Sequence, residues 1–201
     1  MKAAEDLRRR VLDASLDLIA GEGLEAFSMR EVARRAGVSH QAPYHHFPDR
    51  EAIMAAIVAE GFTALRADLV EAGGAVADPR QRLTALGKTY VAFALRQPAH
   101  FKLMFRSEWV KAEKHEEAKA CAEGAFEVLA HAIADVARLE GREPEQTSLL
   151  MAWSMAHGLA TLMLEGKFEK VCGIDPAAQL EAAGAVFDQF ELLQRAAARQ
   201  S

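Results

Sequence analysis

The sequence predicts an all-α protein of about nine helices, with a small N-terminal module joined to a larger helical bundle. Three observations carry that expectation. Apolar residues recur at helical spacing, as in Leu7, Val11, Ala14, Leu18 and in Leu149, Trp153, Ala156, Ala160. No β-branched alternation of strand type runs through the chain. Breaks and starts are also regularly marked: glycines stand at 21, 23, 37, 73, 74, 141 and 173, and a polar residue precedes proline at Asp78-Pro79, Gln97-Pro98, Glu143-Pro144 and Asp175-Pro176. The polar residue can cap a helix while proline fills its first position, where no backbone donor is needed.

These signals place helices at roughly 4–20, 29–36, 40–46, 50–72, 80–96, 98–106, 113–140, 144–166 and 176–198. The early helices are short and the later ones long, which suggests a first domain over 1–52 and a second over 53–201. Of 201 residues, 51% are hydrophobic and 26% charged, enough to bury a substantial core and wrong for disorder. Cys121 and Cys172 form no disulfide framework and are expected to be reduced thiols. Charges interleave with apolar residues near the N-terminus, so a signal peptide is not expected; no uncharged apolar run is read as approaching the ~20 residues a membrane span needs, and a cytoplasmic protein is expected. The net charge is −5, yet residues 1–50 hold eight basic and eight acidic side chains, so the excess acidity lies beyond them.

In the segment FSMREV, Ser28 and Glu31 have capping-box spacing, with Phe27 and Val32 at the flanking staple positions. The helix ends at Ala36-Gly37, and only Val38 separates that glycine from the next cap, Ser39. Two short helices across a tight glycine turn fit a helix-turn-helix, with Val32, Ala33, Val38 and Phe47 as its small core. An αα-corner that binds nothing has the same spacing. The second helix carries the chemistry. His40, Gln41 and Ala42 form its exposed first turn, where Gln41 can pair with adenine and Ala42 can meet a thymine methyl. Tyr44, His45 and His46 follow as donors suited to phosphate oxygens, and Arg50 opens the next helix as a further phosphate clamp. Pro43 falls at the fourth helical position and forfeits the first intrahelical bond, to the Ser39 carbonyl. A metal site is the competing use of the histidines. On a regular helix, however, His40 points roughly 140° away from His45, and no cysteine lies nearby, so no metal and no cofactor is expected.

The stretch FSMREVARRAGVSHQAPYHHFPDREAI resembles the DNA-binding segment of the TetR family of transcriptional regulators. The likeness covers about 45 contiguous residues, including the first helix. It implies DNA contacts at Ser28, Arg30, Ser39, His40, Gln41, Ala42, Tyr44, His45 and His46. Arg50 stands where the family usually has lysine, keeping the charge and changing the contact geometry. Pro43 stands where the family often has a small or hydroxylated residue.

Further along, QPAHFKLMFRSEW and the W-x-x-x-H-G of AWSMAHGLATLMLEG resemble the WHG-type C-terminal domain of a subset of TetR-like regulators, over about residues 80–190. Trp153 and His157 lie one turn apart and can touch, and Gly158, costly inside a helix, suggests close approach of another backbone. Such a stripe can equally be plain core. The resemblance implies a small-molecule pocket, for which the candidates are Tyr90, Phe93, Phe101, Met104, Phe105, Trp109, Phe126, Trp153, Met155 and His157. In QLEAAGAVFDQFELL, the residues Leu180, Ala183, Val186, Phe187, Phe190 and Leu193 recur at helical spacing. The resemblance implies that the last two long helices pair with a second copy, with Leu180, Ala183, Phe187 and Phe190 in the dimer interface; burial within one chain is the alternative.

The expected function is therefore a ligand-responsive homodimeric regulator, a repressor released from a palindromic operator by a small, largely apolar effector. Its partners would be double-stranded DNA, the effector and a second copy, with no membrane. An α-helical ligand-binding or sequestering protein whose first module contacts protein is the alternative. An enzyme is not expected, because no nucleophile–base pair, metal cluster or glycine-rich phosphate loop is evident.

Overall fold

The computed structural model describes the backbone of residues 2–198. Among these, nine α-helices are joined by four short 3₁₀ turns, and the chain divides into two compact units.

The first unit comprises residues 1–63 and 97–122. It holds α1 (Lys2–Glu22), α2 (Met29–Arg35), the start of α3 (Arg50–Gly74), and α5 (Pro98–Met104). Val11, Leu12 and Leu18 of α1 are wholly enclosed, as are Val32 of α2 and Ile53, Met54 and Ile57 of α3. Leu103 of α5 joins them at 1% exposure. Burying such side chains contributes roughly 1.5–3 kcal/mol each, which holds these short helices in place.

The second unit comprises 64–96 and 123–201. It holds the end of α3, α4 (Pro79–Arg96), most of α6 (Glu116–Leu139), α7 (Gln146–Leu164), α8 (Lys167–Cys172) and α9 (Gln179–Ala198). Helix α4 is its centre, packed on both α7 and α9. A Cβ on Gly87 would lie 2.3 Å from the Phe187 ring, so only glycine lets α9 come this close. This division returns residues 97–122 to the N-terminal unit, a grouping the two consecutive segments expected from the sequence did not contain.

Most expected helix starts are found, and the departures have physical causes. Asp78 accepts from the backbone N–H of Arg80 and of Gln81, both at 3.0 Å, with Pro79 at the first helical position as anticipated. After Pro144 the helix starts two residues later than expected, at Gln146. Asp175 caps a 3₁₀ turn, Pro176–Ala178, and α9 follows from Gln179. Helix α8 was not foreseen; it is bounded by Gly166 and Gly173, both in the left-handed region.

The segment expected as a helix over 40–46 is not α-helical. It is a turn followed by a 3₁₀ helix, Ala42–His45. Proline explains this. Pro43 has no N–H to give the Ser39 carbonyl, and it disfavours the α conformation in the residue before it. The Ser39 carbonyl instead accepts from Ala42 N–H at 3.0 Å, one residue tighter. Ser39 therefore caps no α-helix.

The expectation that no membrane-length apolar run exists also needs correction. Helix α7 contains no Asp, Glu, Lys or Arg and is long and apolar enough to span a bilayer by composition alone, yet only 17% of that window is buried in the chain. Its two faces explain the paradox. Ala152, Ala156 and Ala160 are buried within the unit, whereas Met151 and Leu162 are exposed. Among the described residues nothing lies within 4 Å of a Cβ placed on Gly158, so the close backbone approach expected there is not made by them.

Candidate nucleic-acid interface

The sequence Ser28–Arg50 builds a small buried spine carrying an exposed polar face. Ser28 Oγ accepts from Glu31 N–H at 3.2 Å, which is one half of the expected capping box. The other half is absent, because the Glu31 carboxylate accepts from Arg34 and Arg35 instead. Those two guanidiniums hold the Glu31 pKa down at about 2. Phe27 and Val32 are 5% and 0% exposed, as the staple requires. Gly37 has φ 65°, the left-handed turn that ends α2, and Arg10 of α1 donates to the Ala36 carbonyl beside it. A cation there also complements the negative end of α2.

Beyond the turn, Pro43 and Phe47 are buried, and Arg8 lies 5.7 Å above the Phe47 ring. Val38, expected in the same core, is only half-buried. Ser39, His40, Gln41, Tyr44 and His45 are exposed, Ala42 and His46 half-buried, and the His40 and Tyr44 rings are 5.9 Å apart. In a 3₁₀ helix residues three apart eclipse, so Gln41 and Tyr44 share one side. Ser28 and Arg30 are exposed on α2. Asp49 caps α3, its carboxylate accepting from Ala52 N–H at 2.9 Å, which sets Arg50 at the first helical position. Among the described residues, this part of the chain therefore brings all ten expected DNA-contacting side chains to the surface of one unit.

The aromatic candidates for an effector divide between the units. In the second unit, Tyr90 Oη lies 2.9 Å from His157 Nδ1, Trp153 is 6.1 Å from the His157 ring, and Phe126 meets Trp153 edge-on at 6.1 Å. Burial pushes the Tyr90 phenol well above its ordinary pKa and lowers that of His157, so the pair is neutral near pH 7. Phe93 is fully buried, and Met155 is half-buried on the same helix as Trp153. In the first unit, Phe101 and Phe105 are 5.2 Å apart and Met104 packs over Gly61. Trp109 lies elsewhere, under the Arg50 guanidinium at 5.3 Å. A separate cleft of about 440 Å³ lies between α4 and α9, lined by Gln81, Thr84, Ala85, Lys88, Asp188, Glu191 and Leu192. None of the aromatic candidates lines it.

On α9, Ala183 and Phe187 are 1% and 3% exposed, with Phe187 turned to Gly87 of α4 within the chain. They are thus committed to the internal core. Leu180, Val186 and Leu193 are exposed at 46%, 40% and 59%, and Phe190 is half-buried.

A capped helix, a left-handed glycine turn and an exposed polar second element define a DNA-binding module of helix-turn-helix type. The comparisons with known proteins agree. Residues 11–57 match the model for bacterial regulatory proteins of the tetR family, and residues 83–187, more than half the chain, match the tetracyclin repressor-like C-terminal domain. The chain belongs to the TetR family of transcriptional regulators. Over 83 residues it is 41% identical to the HTH-type transcriptional regulator BetI of Rhizobium meliloti, covering 41% of each chain. It is 25% identical over 130 residues to the HTH-type transcriptional activator FasR of Mycolicibacterium smegmatis, covering 62% of this chain and 59% of that one. It is 34% identical over 82 residues to the repressor KstR of the same organism, covering 41% and 40%. These matches thus span about half the length of the curated relatives. Among solved structures, a Rhodococcus sp. RHA1 protein of unknown function aligns with TM-score 0.70 and 29% identity, covering 90% of this chain and 93% of that one. The regulator FadR from Bacillus subtilis, in complex with stearoyl-CoA, aligns with TM-score 0.69 at 14% identity, covering 89% and 96%, and shares the fold. The named relatives are transcriptional regulators and not enzymes.

Proposed function

We propose that the protein is a homodimeric repressor that binds a palindromic operator and is released by a small, largely apolar effector. The observation that carries the DNA half is the exposed polar run from Ser39 to His45 on a buried Pro43–Phe47 spine. Gln41 reads a base, Ala42 meets a thymine methyl, and Ser28, Arg30, Tyr44, His45, His46 and Arg50 hold phosphates, with Ser39 and His40 at the entry of the element. A reader of the bacterial chromosome works in the cytoplasm.

One such element touches too few bases for useful specificity, so two copies are needed, about one helical turn (34–36 Å) apart. The uncharged face of α7 supports a partner there, since Met151 and Leu162 would otherwise stay in water. Val186, Phe190 and Leu193, at i, i+4 and i+7 of α9, supply a matching stripe. Leu180, exposed on α9, joins the interface, whereas Ala183 and Phe187 serve it from behind as the packing that fixes α9 on α4. The neutral Tyr90–His157 pair among Trp153 and Phe126 supports an effector that is mostly apolar with one polar group. Effector binding favours an arrangement in which the two reading elements are wrongly spaced, and operator affinity falls by linkage.

Selection of bound fragments from random-sequence DNA by the purified protein tests this reading. An inverted repeat with half-sites one helical turn apart is expected. Enrichment of a single half-site, or no enrichment, would overturn the dimeric operator.

A further inference from the structure

Arg50 poses an electrostatic problem that the DNA-binding motif alone does not solve. As the first residue of α3 it places a cation at the positive end of a 25-residue helix, the end that favours anions. A free arginine there would be repelled by the helix and would sample many rotamers. The chain supplies a remedy from far along the sequence. The Arg50 guanidinium lies over the Trp109 indole, 5.3 Å from the ring centroid. Trp109 is itself held. Its backbone N–H donates to the Arg106 carbonyl at 3.0 Å, and Val110 beside it is buried. Two further contacts clamp the same loop to the helix start. Glu51 Oε1 accepts from the Lys111 backbone N–H at 3.3 Å and lies 3.4 Å from His115 Nε2. All these residues belong to one compact unit.

An arginine stacked on an aromatic face keeps its N–H donors at the edge of the guanidinium plane, available for a bidentate oxyanion. We propose that Trp109 is a positioning residue for DNA binding: the Arg106–His115 loop holds Arg50 at the start of α3, preset for a backbone phosphate. The assignment rests on Arg50 contacting phosphate, as proposed above. It moves Trp109 from the effector pocket suggested by the sequence to the DNA-binding edge. It also explains why arginine serves here, since a lysine offers no planar group to stack.

Operator affinity of the full-length protein as a function of salt, with the duplex selected from random DNA as probe, tests this. Arg50→Ala must shallow the salt slope by about one unit per chain. Trp109→Leu must weaken binding by roughly two- to fivefold per chain, the scale of an exposed cation–π contact. The leucine change must add nothing in the Arg50→Ala background, and Trp109→Phe must restore most of the affinity. Unchanged affinity in Trp109→Leu, or a loss that persists in full without Arg50, overturns the positioning role. An Arg50→Ala protein with native affinity and slope removes the phosphate role of Arg50 itself, and the positioning role with it. Should Trp109→Leu fail to fold, Trp109 emission in a Trp153→Phe background gives a second reading. It must respond to the duplex and stop responding when Arg50 is alanine; no response overturns the proposal.

Discussion

The face formed by Ser28 to Arg50 and the outward apolar sides of α7 and α9 are both exposed, and they are exposed for opposite reasons. The first is polar over a buried spine: Pro43, Phe47 and Val32 are enclosed while Gln41, His45 and Arg30 stand in water. Polar groups there lose nothing by waiting in solvent for base edges and phosphates. The second face is apolar over a buried spine of alanines, and Met151, Leu162 and Leu193 are 57%, 44% and 59% exposed. Each of these gains only when something covers it, by roughly 25 cal/mol for every Å² removed from water. A polar exposed face thus points to a partner met transiently and read specifically, and an apolar one to a partner kept. Within this chain the first suits DNA and the second a like copy.

Breaking the apolar face should have the larger effect. Replacing both Met151 and Leu193 by Asp is expected to give monomers by sedimentation and to weaken operator binding by at least about 100-fold, because the second reading element no longer binds as an intramolecular partner. A dimeric double variant would show that this face is not the interface. At the polar face the smallest expected effect concerns the Glu31 carboxylate, which Arg34 and Arg35 hold at a pKa of about 2, against 4.5 for an unperturbed glutamate. A depressed folded pKa contributes stability that is present above the ordinary value and is lost as pH falls toward 2. The Tm advantage of the native protein over Glu31→Gln should therefore be present at neutral pH and vanish near pH 2. The carboxylate is only partly buried and Arg34 stands in solvent, so the advantage will be small and will shrink with salt. A difference independent of pH would mean that the ion pairs contribute nothing.

The parts of this fold written in local chemistry were legible in the sequence. Ser28, the Gly37 turn and the Asp78-Pro79 start each act within a few residues, and each is found as read. The 3₁₀ form of the reading element was locally encoded too, by a proline that removes one donor and constrains its predecessor, but helical periodicity outweighed that signal. Tertiary choices were not legible. Which apolar residues of α9 turn inward depends on Gly87 lying opposite Phe187, and periodicity alone could not separate Phe187 from Val186. The pairing of Trp109 with Arg50 joins residues far apart in sequence, so an aromatic run on α5 and after it read as one pocket.

The central claim is that Gln41 reads sequence while its neighbours hold the backbone. The most direct test compares native protein and Gln41→Ala on the selected operator and on random duplex of equal length. The account predicts a loss of roughly 1–3 kcal/mol on the operator, with little change on random DNA and an unaltered salt slope. An equal loss on both duplexes would contradict it.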